Sequence, residues 1–125
     1  MEDSLGAKFA KAVALKDHAR VRELIHPKID FWAMTPREVW DAGGPDDVVG
    51  VLEEWFSEDD LIETIELLDC DGFADRQRVG YRLRVLRPDG RYLIEQQAYL
   101  SERDGKIGWL RILCSGFRPS MAVDR

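Results

Sequence analysis

The sequence has only two cysteines among its 125 residues, Cys70 and Cys114, and no Cys-x-x-Cys pair. It therefore lacks a disulfide framework and the ligand spacing of a zinc site, so we expect two buried thiols and no metal or cofactor. No apolar run approaches the ~20 residues that a membrane-spanning helix needs. The first residues also lack the basic start and apolar block of a secretory signal. These absences predict a cytoplasmic protein without a membrane segment.

Positive charge is scarce where nucleic-acid binding would need it. The formal net charge is −6, which opposes the binding of phosphates. Between Arg37 and Arg76 there are fourteen Asp and Glu residues but no Lys or Arg. Six arginines then follow within sixteen positions: Arg76, Arg78, Arg82, Arg84, Arg87 and Arg91. We predict that Glu63, Glu66 or Asp69 pairs with these arginines across neighbouring strands; a basic patch for an anionic ligand or RNA is the alternative.

The chain is predicted to form a single domain over residues 1–125, because its length suits one core and no linker-like segment divides it. Its strongest pattern is a meander of three strands from Arg76 to Pro119, with tight turns at Pro88-Asp89-Gly90 and Asp104-Gly105. Each strand has about twelve residues, or roughly 40 Å, so the sheet must twist and curl. A curled sheet has a hollow side that can hold a small molecule.

The segments before the meander are predicted to cover that hollow side. The patterns first predict a helix around residues 9–16 and a second helix that Asp17 caps and His26-Pro27 ends. A short strand over 29–34 and a short helix with Val39 and Trp40 follow. The last two elements are a helix from Pro45 to Phe56 and a strand over 61–70, for which a helix is the alternative.

Alternation assigns faces to two of the meander strands. Val79, Tyr81, Leu83 and Val85 alternate with polar or small residues, which places them in the core. The last strand is apolar on both sides: Leu110, Ile112 and Cys114 share one side, and Trp109, Arg111 and Leu113 share the other. A strand that is apolar on both sides is usually covered on both. We therefore predict a homodimer through the outer sheet face that carries Trp109, Arg111 and Leu113.

The order of these elements resembles the nuclear transport factor 2-like superfamily. The resemblance rests on the segments FAKAVALKDHARVRELIHPKIDFW and AYLSERDGKIGWLRILCSGF and covers essentially the whole chain. It implies an α+β fold in which a curled sheet of four to five mostly antiparallel strands wraps round the N-terminal helices. The superfamily contains ketosteroid isomerases, polyketide cyclases, epoxide hydrolases and dehydratases, and also binding domains without chemistry.

Carried over residue by residue, the resemblance implies that most catalytic groups are missing. The isomerase tyrosine falls on Phe9, the catalytic aspartate falls near Ala33 or Met34, and the protonated acid falls on Gln97, which can still donate through its amide. The cyclase acid falls around Arg111 and Ile112. The hydrolase set of two aspartates and an arginine would have to use Asp30, Arg111 and Asp69. Steroid isomerisation is therefore expected to run close to background.

The resulting prediction is a small-molecule-binding domain with an apolar, cone-shaped pocket, whose ligand is unknown. The resemblance assigns Gln97 to the hollow face, with Tyr99 and Glu95 on the same side of their strand. The predicted ligand-binding residues are Gln97, Tyr99, Trp32, Met34, Trp55, Phe56, Leu110, Ile112 and Cys114. The inward candidates for a general base are Glu95, His26 and Asp30. An isomerase, cyclase or dehydratase acting on an apolar carbonyl compound is the alternative, and a protein-interaction module is a third possibility.

Overall fold

The structure, a computed structural model, describes residues 3–120; residues 1–2 and 121–125, the two ends of the predicted domain, lie outside the described residues. In chain order the elements are α1 (Leu5–Ala14), α2 (His18–Leu24), β1 (Ile25–Thr35), β2 (Glu38–Ala42), α3 (Pro45–Trp55), β3 (Leu61–Phe73), β4 (Arg76–Arg87), β5 (Gly90–Arg103), β6 (Lys106–Cys114) and β7 (Arg118–Pro119). The predicted α+β class and the meander of β4, β5 and β6 are confirmed.

The strands form one curled sheet in the order β2-β1-β6-β5-β4-β3, and the short β7 pairs with β5. Only β1 and β6 run parallel among these pairs; the others are antiparallel. The register of β3 shifts twice against β4, between Ile62 and Thr64 and between Ile65 and Leu67. Such bulges bend a strand and increase its twist, which helps the sheet to curl round the helices.

The segment with Val39 and Trp40 is a strand, so the predicted short helix is wrong. It forms β2, which pairs with β1 so that Thr35 lies opposite Glu38. Thr35 and Pro36 turn the chain back at once, and the Trp40 indole N–H donates a 3.0 Å hydrogen bond to Thr35 Oγ1. Five residues are too few for a stable helix, whereas Val and Trp suit a pleated strand.

The three helices lie on the concave side of the sheet. Helix α1 packs against β3, β4 and β5, while α3 packs against β1 and β2. Side-chain caps start two of them: Ser4 accepts from the Ala7 N–H at 3.1 Å, and Asp17 accepts from the Arg20 N–H at 3.1 Å, as predicted for Asp17. The apolar sides of the helices and the concave face of the sheet form one hydrophobic core.

Four of the six clustered arginines, Arg78, Arg82, Arg84 and Arg91, pair with acids of strand β3, as the sequence predicts. Glu66 lies 2.5 Å from Arg84 and 3.4 Å from Arg82, and Asp69 lies 2.9 Å from Arg78. The hydrogen bond from Arg84 is the main reason why the pKa of Glu66 lies below its usual value. The cluster is therefore a row of cross-strand ion pairs.

Two further predictions concern the burial of both cysteines and the absence of a membrane-spanning segment. Cys114 is buried, but Cys70 is exposed on the edge strand β3. Within residues 3–120, no helix is long and apolar enough to cross a membrane. The cytoplasmic location stays a prediction.

Gly116 offers a direct test of how tightly the end of β6 approaches the β1–β2 turn. Its φ is +78°, and an added Cβ would lie 2.7 Å from Pro36 Cγ; Gly105 has a φ of +79° but open space around it. Left-handed backbone costs a residue with a Cβ about 1–2 kcal/mol. We expect Gly116→Ala to lower the free energy of unfolding by this amount plus about 1 kcal/mol for the contact, and Gly105→Ala by the first amount only. If urea unfolding shows the same loss of unfolding free energy for both variants, Gly116 does not contact Pro36 closely.

Candidate ligand-binding site

The polar residue that β5 places in the core is Gln96, so the prediction that Gln97 faces the hollow is wrong. Gln96 is 1% exposed and lies opposite Tyr81 on β4 and Cys114 on β6. Gln97 lies on the convex face, beside Gly80 and within 3.4 Å of Arg78. The inward residues of β5 are Ile94, Gln96, Ala98 and Leu100.

Three more predicted pocket residues share the convex face with Gln97. Tyr99, Trp32 and Met34 are exposed there, and they line a depression of about 440 Å³ that the predicted residues Gln97 and Ile112 also line, together with Leu113. Parity is again the reason, because Tyr99 lies opposite Arg111 and both alternate with inward residues. We name Trp32, Met34, Tyr99 and Leu113 the outer-face patch.

The three predicted general bases also lie outside the hollow. Glu95 lies 2.9 Å from Arg82 on the convex face, and Asp30 lies 3.2 Å from Arg111. His26 is the second residue of β1, at the far end of the cone, where its Nε2 lies 3.1 Å from an oxygen of Asp104. Its Nδ1 accepts the Lys28 N–H, so a neutral ring carries its proton on Nε2 and donates it to Asp104. The prediction that they point into the pocket is wrong.

The concave side opens into a cavity at the end of the cone where β1, β6 and α3 finish. Its volume is about 580 Å³, and we name it the mouth cavity. Of the predicted ligand-binding residues, Trp55 and Cys114 line it, whereas Phe56, Leu110 and Ile112 are buried in the core. The other lining residues are Thr35, Pro36, Arg37, Glu54, Arg87, Ile94, Ser115, Gly116, Phe117 and Arg118, which the sequence patterns did not select.

Two buried N–H donors at or behind the mouth cavity have no hydrogen-bond partner among the described residues. They are Trp55 Nε1 and Gln96 Nε2. The Gln96 oxygen is used, since it accepts a 2.6 Å hydrogen bond from the Tyr81 hydroxyl. Gln96 lies one layer behind the cavity: Ile94, two residues away on the same face, and Cys114, directly across from it, both line the wall. Burial, more than the nearby Cys114 thiol, raises the pKa of Tyr81, so this hydroxyl stays a donor.

Aromatic rings pack in pairs at the wall of the mouth cavity. The rings of Trp55 and Trp40 meet edge to face with their centroids 6.0 Å apart, and Phe117 meets Phe56 in the same way at 5.9 Å. Arg87 covers the Phe117 ring, with its guanidinium carbon 4.1 Å from the centroid. The inner wall is therefore apolar and flat.

The rim of the mouth cavity is mainly cationic. Arg87 lies 3.2 Å from Asp60, a carboxylate that is almost completely buried, so its charge is balanced. Arg37 and Arg118 are exposed and form no ion pair with residues 3–120. Glu54 is the one carboxylate among the described lining residues. Within residues 3–120, no three His, Cys, Asp or Glu side chains are grouped so that they could hold a metal ion.

No protein-family model and no curated protein matches this sequence. Solved structures do match. A candidate isomerase from Rhodopseudomonas palustris superposes with a TM-score of 0.75 at 13% identity over 93% of each chain. The chain has the nuclear transport factor 2-like fold. An LEH-like epoxide hydrolase from M. tuberculosis has a TM-score of 0.63 at 13% identity, covering 89% of this chain and 80% of its own. A candidate polyketide cyclase from Pseudomonas putida KT2440 has a TM-score of 0.67 at 12% identity over 86% of each chain.

Within this nuclear transport factor 2-like cone, the isomerase positions hold groups that cannot exchange protons. Phe9 is fully buried in the core. Ala33 is the inward residue near the end of β1, while Met34 points outward and is 53% exposed. The inward amide is that of Gln96, in place of the predicted Gln97.

The hydrolase set is not assembled in the hollow either. Asp30 and Arg111 pair with each other on the convex face, and Asp69 pairs with Arg78. The position assigned to the cyclase acid is likewise filled by Arg111, on the convex face, and by the buried Ile112.

Proposed function

We propose that this protein binds a flat, apolar small molecule that carries an acceptor oxygen, and that the ligand lies in the mouth cavity. The observation that carries this proposal is the pair of buried donors without partners, Trp55 Nε1 and Gln96 Nε2. A buried polar group without a partner costs about 1–3 kcal/mol. A carbonyl oxygen of a ligand would remove that cost at Trp55, whose side chain lines the cavity and would turn its buried Nε1 toward the ligand.

The dimensions and lining of the mouth cavity favour the same ligand class. Pockets for small molecules have volumes of about 300–1,000 Å³ and are mostly apolar, with a few polar groups that orient the ligand. The volume of about 580 Å³ lies in this range. The rings of Trp55 and Phe117, with Ile94, give a surface that suits a planar ring system.

Binding without turnover is the version that the lining residues support best. An isomerase, cyclase or dehydratase would need a group that takes a proton from the ligand. Glu54, an exposed helix residue at the rim, is the one carboxylate that lines the mouth cavity within the described chain. Catalysis on an apolar carbonyl compound stays the alternative, with Glu54 as its base and Trp55 as its donor, and steroid isomerisation is still expected to run close to background.

The test is a Trp55→Phe variant, which removes the donor and keeps an aromatic ring. Because one hydrogen bond contributes about 1 kcal/mol, we expect the affinity for an aromatic ketone such as 2-acetylnaphthalene to fall about fivefold. In a ¹H–¹⁵N spectrum of the native protein, which has four tryptophans, the indole signal lost in Trp55→Phe should move downfield on addition of ketone. Calorimetry measures the affinity.

Trp32→Phe is the matched control, because it makes the same chemical change on the convex face. It should bind the ketone like the native protein. An unmoved Trp55 signal with saturating ketone, or equal losses in both variants, would overturn the proposed site.

We also propose that two copies of this chain associate through the outer-face patch. Trp32, Met34, Tyr99 and Leu113 place large apolar groups in solvent on one side of the sheet. The charges around them are already balanced within the chain, for example Arg111 by Asp30. A second copy, related by a two-fold axis, can therefore cover this neutral apolar surface without bringing like charges together.

A further inference from the structure

We propose that the ligand of the mouth cavity is an apolar carboxylic acid, whose carboxylate binds Arg37 and Arg118 while its ring lies against Trp55. This inference rests on the proposed function, since it names the chemical class of the molecule in the same cavity. It comes from a different observation: the charge at the rim.

The rim has an excess of positive charge that residues 3–120 do not balance. Arg37 on the β1–β2 turn and Arg118 on β7 both line the mouth cavity, and neither forms an ion pair with residues 3–120. Arg87 is excluded from the balance because Asp60 neutralises it. Glu54 is left to face the two arginines. The rim is thus net positive in a protein whose net charge is −6, and a local field of this kind attracts an anion.

The arginines of the Arg76–Arg91 cluster differ from the two at the rim. Each arginine of the Arg76–Arg91 cluster has an acidic partner nearby, for example Arg84 with Glu66 and Arg91 with Glu63. The sequence has enough acids to neutralise its arginines, with 24 Asp and Glu against 18 Lys and Arg. What sets Arg37 and Arg118 apart from an exposed arginine such as Arg103 is that both line one cavity, where they can bind one anion together.

The shape of the mouth cavity favours a carboxylate over a more highly charged anion. A guanidinium group binds a carboxylate through two parallel N–H donors, so one charged end suffices. Ile94, Phe117 and the Trp55 ring give the same cavity an apolar part. A polyphosphate would leave further charges against these rings, and that costs free energy. An acid with a single charged end and a flat ring matches both regions.

The experiment compares 6-acetyl-2-naphthoate with 2-acetylnaphthalene, which share the ring system and the acceptor acetyl group and differ by the carboxylate, titrated calorimetrically into the full chain. We expect the naphthoate to bind about tenfold more tightly, because it alone can pair with the rim arginines. Added salt should weaken naphthoate binding selectively, since Arg37 and Arg118 are exposed.

The double variant Arg37→Gln/Arg118→Gln tests the assignment. It should lower the affinity for naphthoate about tenfold more than the affinity for acetylnaphthalene. Arg103→Gln is the control for overall charge, because it removes one positive charge at the far end of β5 and should leave the ratio of the two affinities unchanged.

The outcomes separate this inference from the proposed function. If both compounds bind with equal affinity and the double variant affects them equally, the carboxylate inference falls and the acceptor site at Trp55 stands. If neither compound binds at millimolar concentration, both proposals fall. If Arg103→Gln weakens naphthoate as much as the double variant does, the rim is not the anion site.

Discussion

Replacing Arg87 with leucine is expected to lower the free energy of unfolding by about 2–4 kcal/mol. The substitution leaves the buried Asp60 carboxylate without its charged partner, 3.2 Å away, and removing one member of a buried pair typically costs about 3–5 kcal/mol. The lower figure allows for the partial exposure of Arg87, whose charge water screens. Asp60 keeps the Ser57 N–H at 3.0 Å, which does not neutralise it.

Arg91→Leu is the matched control for this prediction. Arg91 belongs to the same cluster and pairs with Glu63 at 3.4 Å, but its side chain is more than half exposed. An exposed pair contributes about 0–1 kcal/mol, so we expect a small effect in the same urea titration. Adding Asp60→Asn to Arg87→Leu removes the uncompensated charge and should recover part of the loss. Equal effects of the two leucine substitutions would show that Asp60 is not buried as a charge.

Arg87 also connects stability to the mouth cavity. The same guanidinium that balances Asp60 covers the Phe117 ring, and both Arg87 and Phe117 line the cavity. Arg87, which pairs with the buried Asp60, therefore holds Phe117, in the segment after β6, at the wall of the cavity. This arrangement fixes the aromatic wall that a flat ligand would contact.

The meander could be predicted from sequence because its turns are chemically specific. Asp-Gly at both turns marks where β4 ends, where β5 begins and ends, and where β6 begins. The run of acids in β3 predicts the ion pairs with the arginines that follow it. The strand β2 was missed because Thr-Pro opens helices as well as hairpins, and five residues have too little periodicity to separate the two.

The register of the β4–β5 hairpin determines which glutamine of β5, Gln96 or Gln97, faces the core. The turn at Asp89-Gly90 places Arg87 opposite Gly90, so Tyr81 must lie opposite Gln96. Residues opposite each other share a face of the sheet. Since Tyr81 was correctly placed in the core, Gln96 had to face the core as well. The hairpin register thus predicts the inward position of Gln96, whereas the resemblance implies Gln97.

The mouth cavity itself could not be derived from the sequence. Its rim joins residues from the β1–β2 turn, the end of α3, the end of β6 and β7. These segments are distant in sequence, and the local patterns in each predict only a turn or the end of an element. Only the curl of the sheet brings Arg37 and Arg118 to one cavity. The degree of curl depends on β-bulges such as those in β3, and local sequence patterns do not predict where bulges occur.

Leu113→Glu is expected to shift the proposed dimer to monomers, with a loss of at least about 2 kcal/mol, or roughly thirtyfold, in the dimerisation equilibrium. Leu113 is 59% exposed in the single chain, so the substitution should cost the monomer little. In the dimer it would put a charge at the centre of an apolar contact, where no partner charge is free, because Arg111 is already paired with Asp30.

Leu15→Glu makes the same chemical change at the exposed end of α1, away from the sheet face. It should leave the association unchanged, so the difference between the two variants isolates the outer-face patch from the general effect of added negative charge. Sedimentation equilibrium over a range of concentrations measures the constants. A native protein that stays monomeric at high micromolar concentration would remove the dimer. A dimer that Leu113→Glu and Leu15→Glu weaken equally would place its interface elsewhere, because a specific contact of about 1,600 Å² centred on the patch cannot accommodate an unpaired carboxylate at its core.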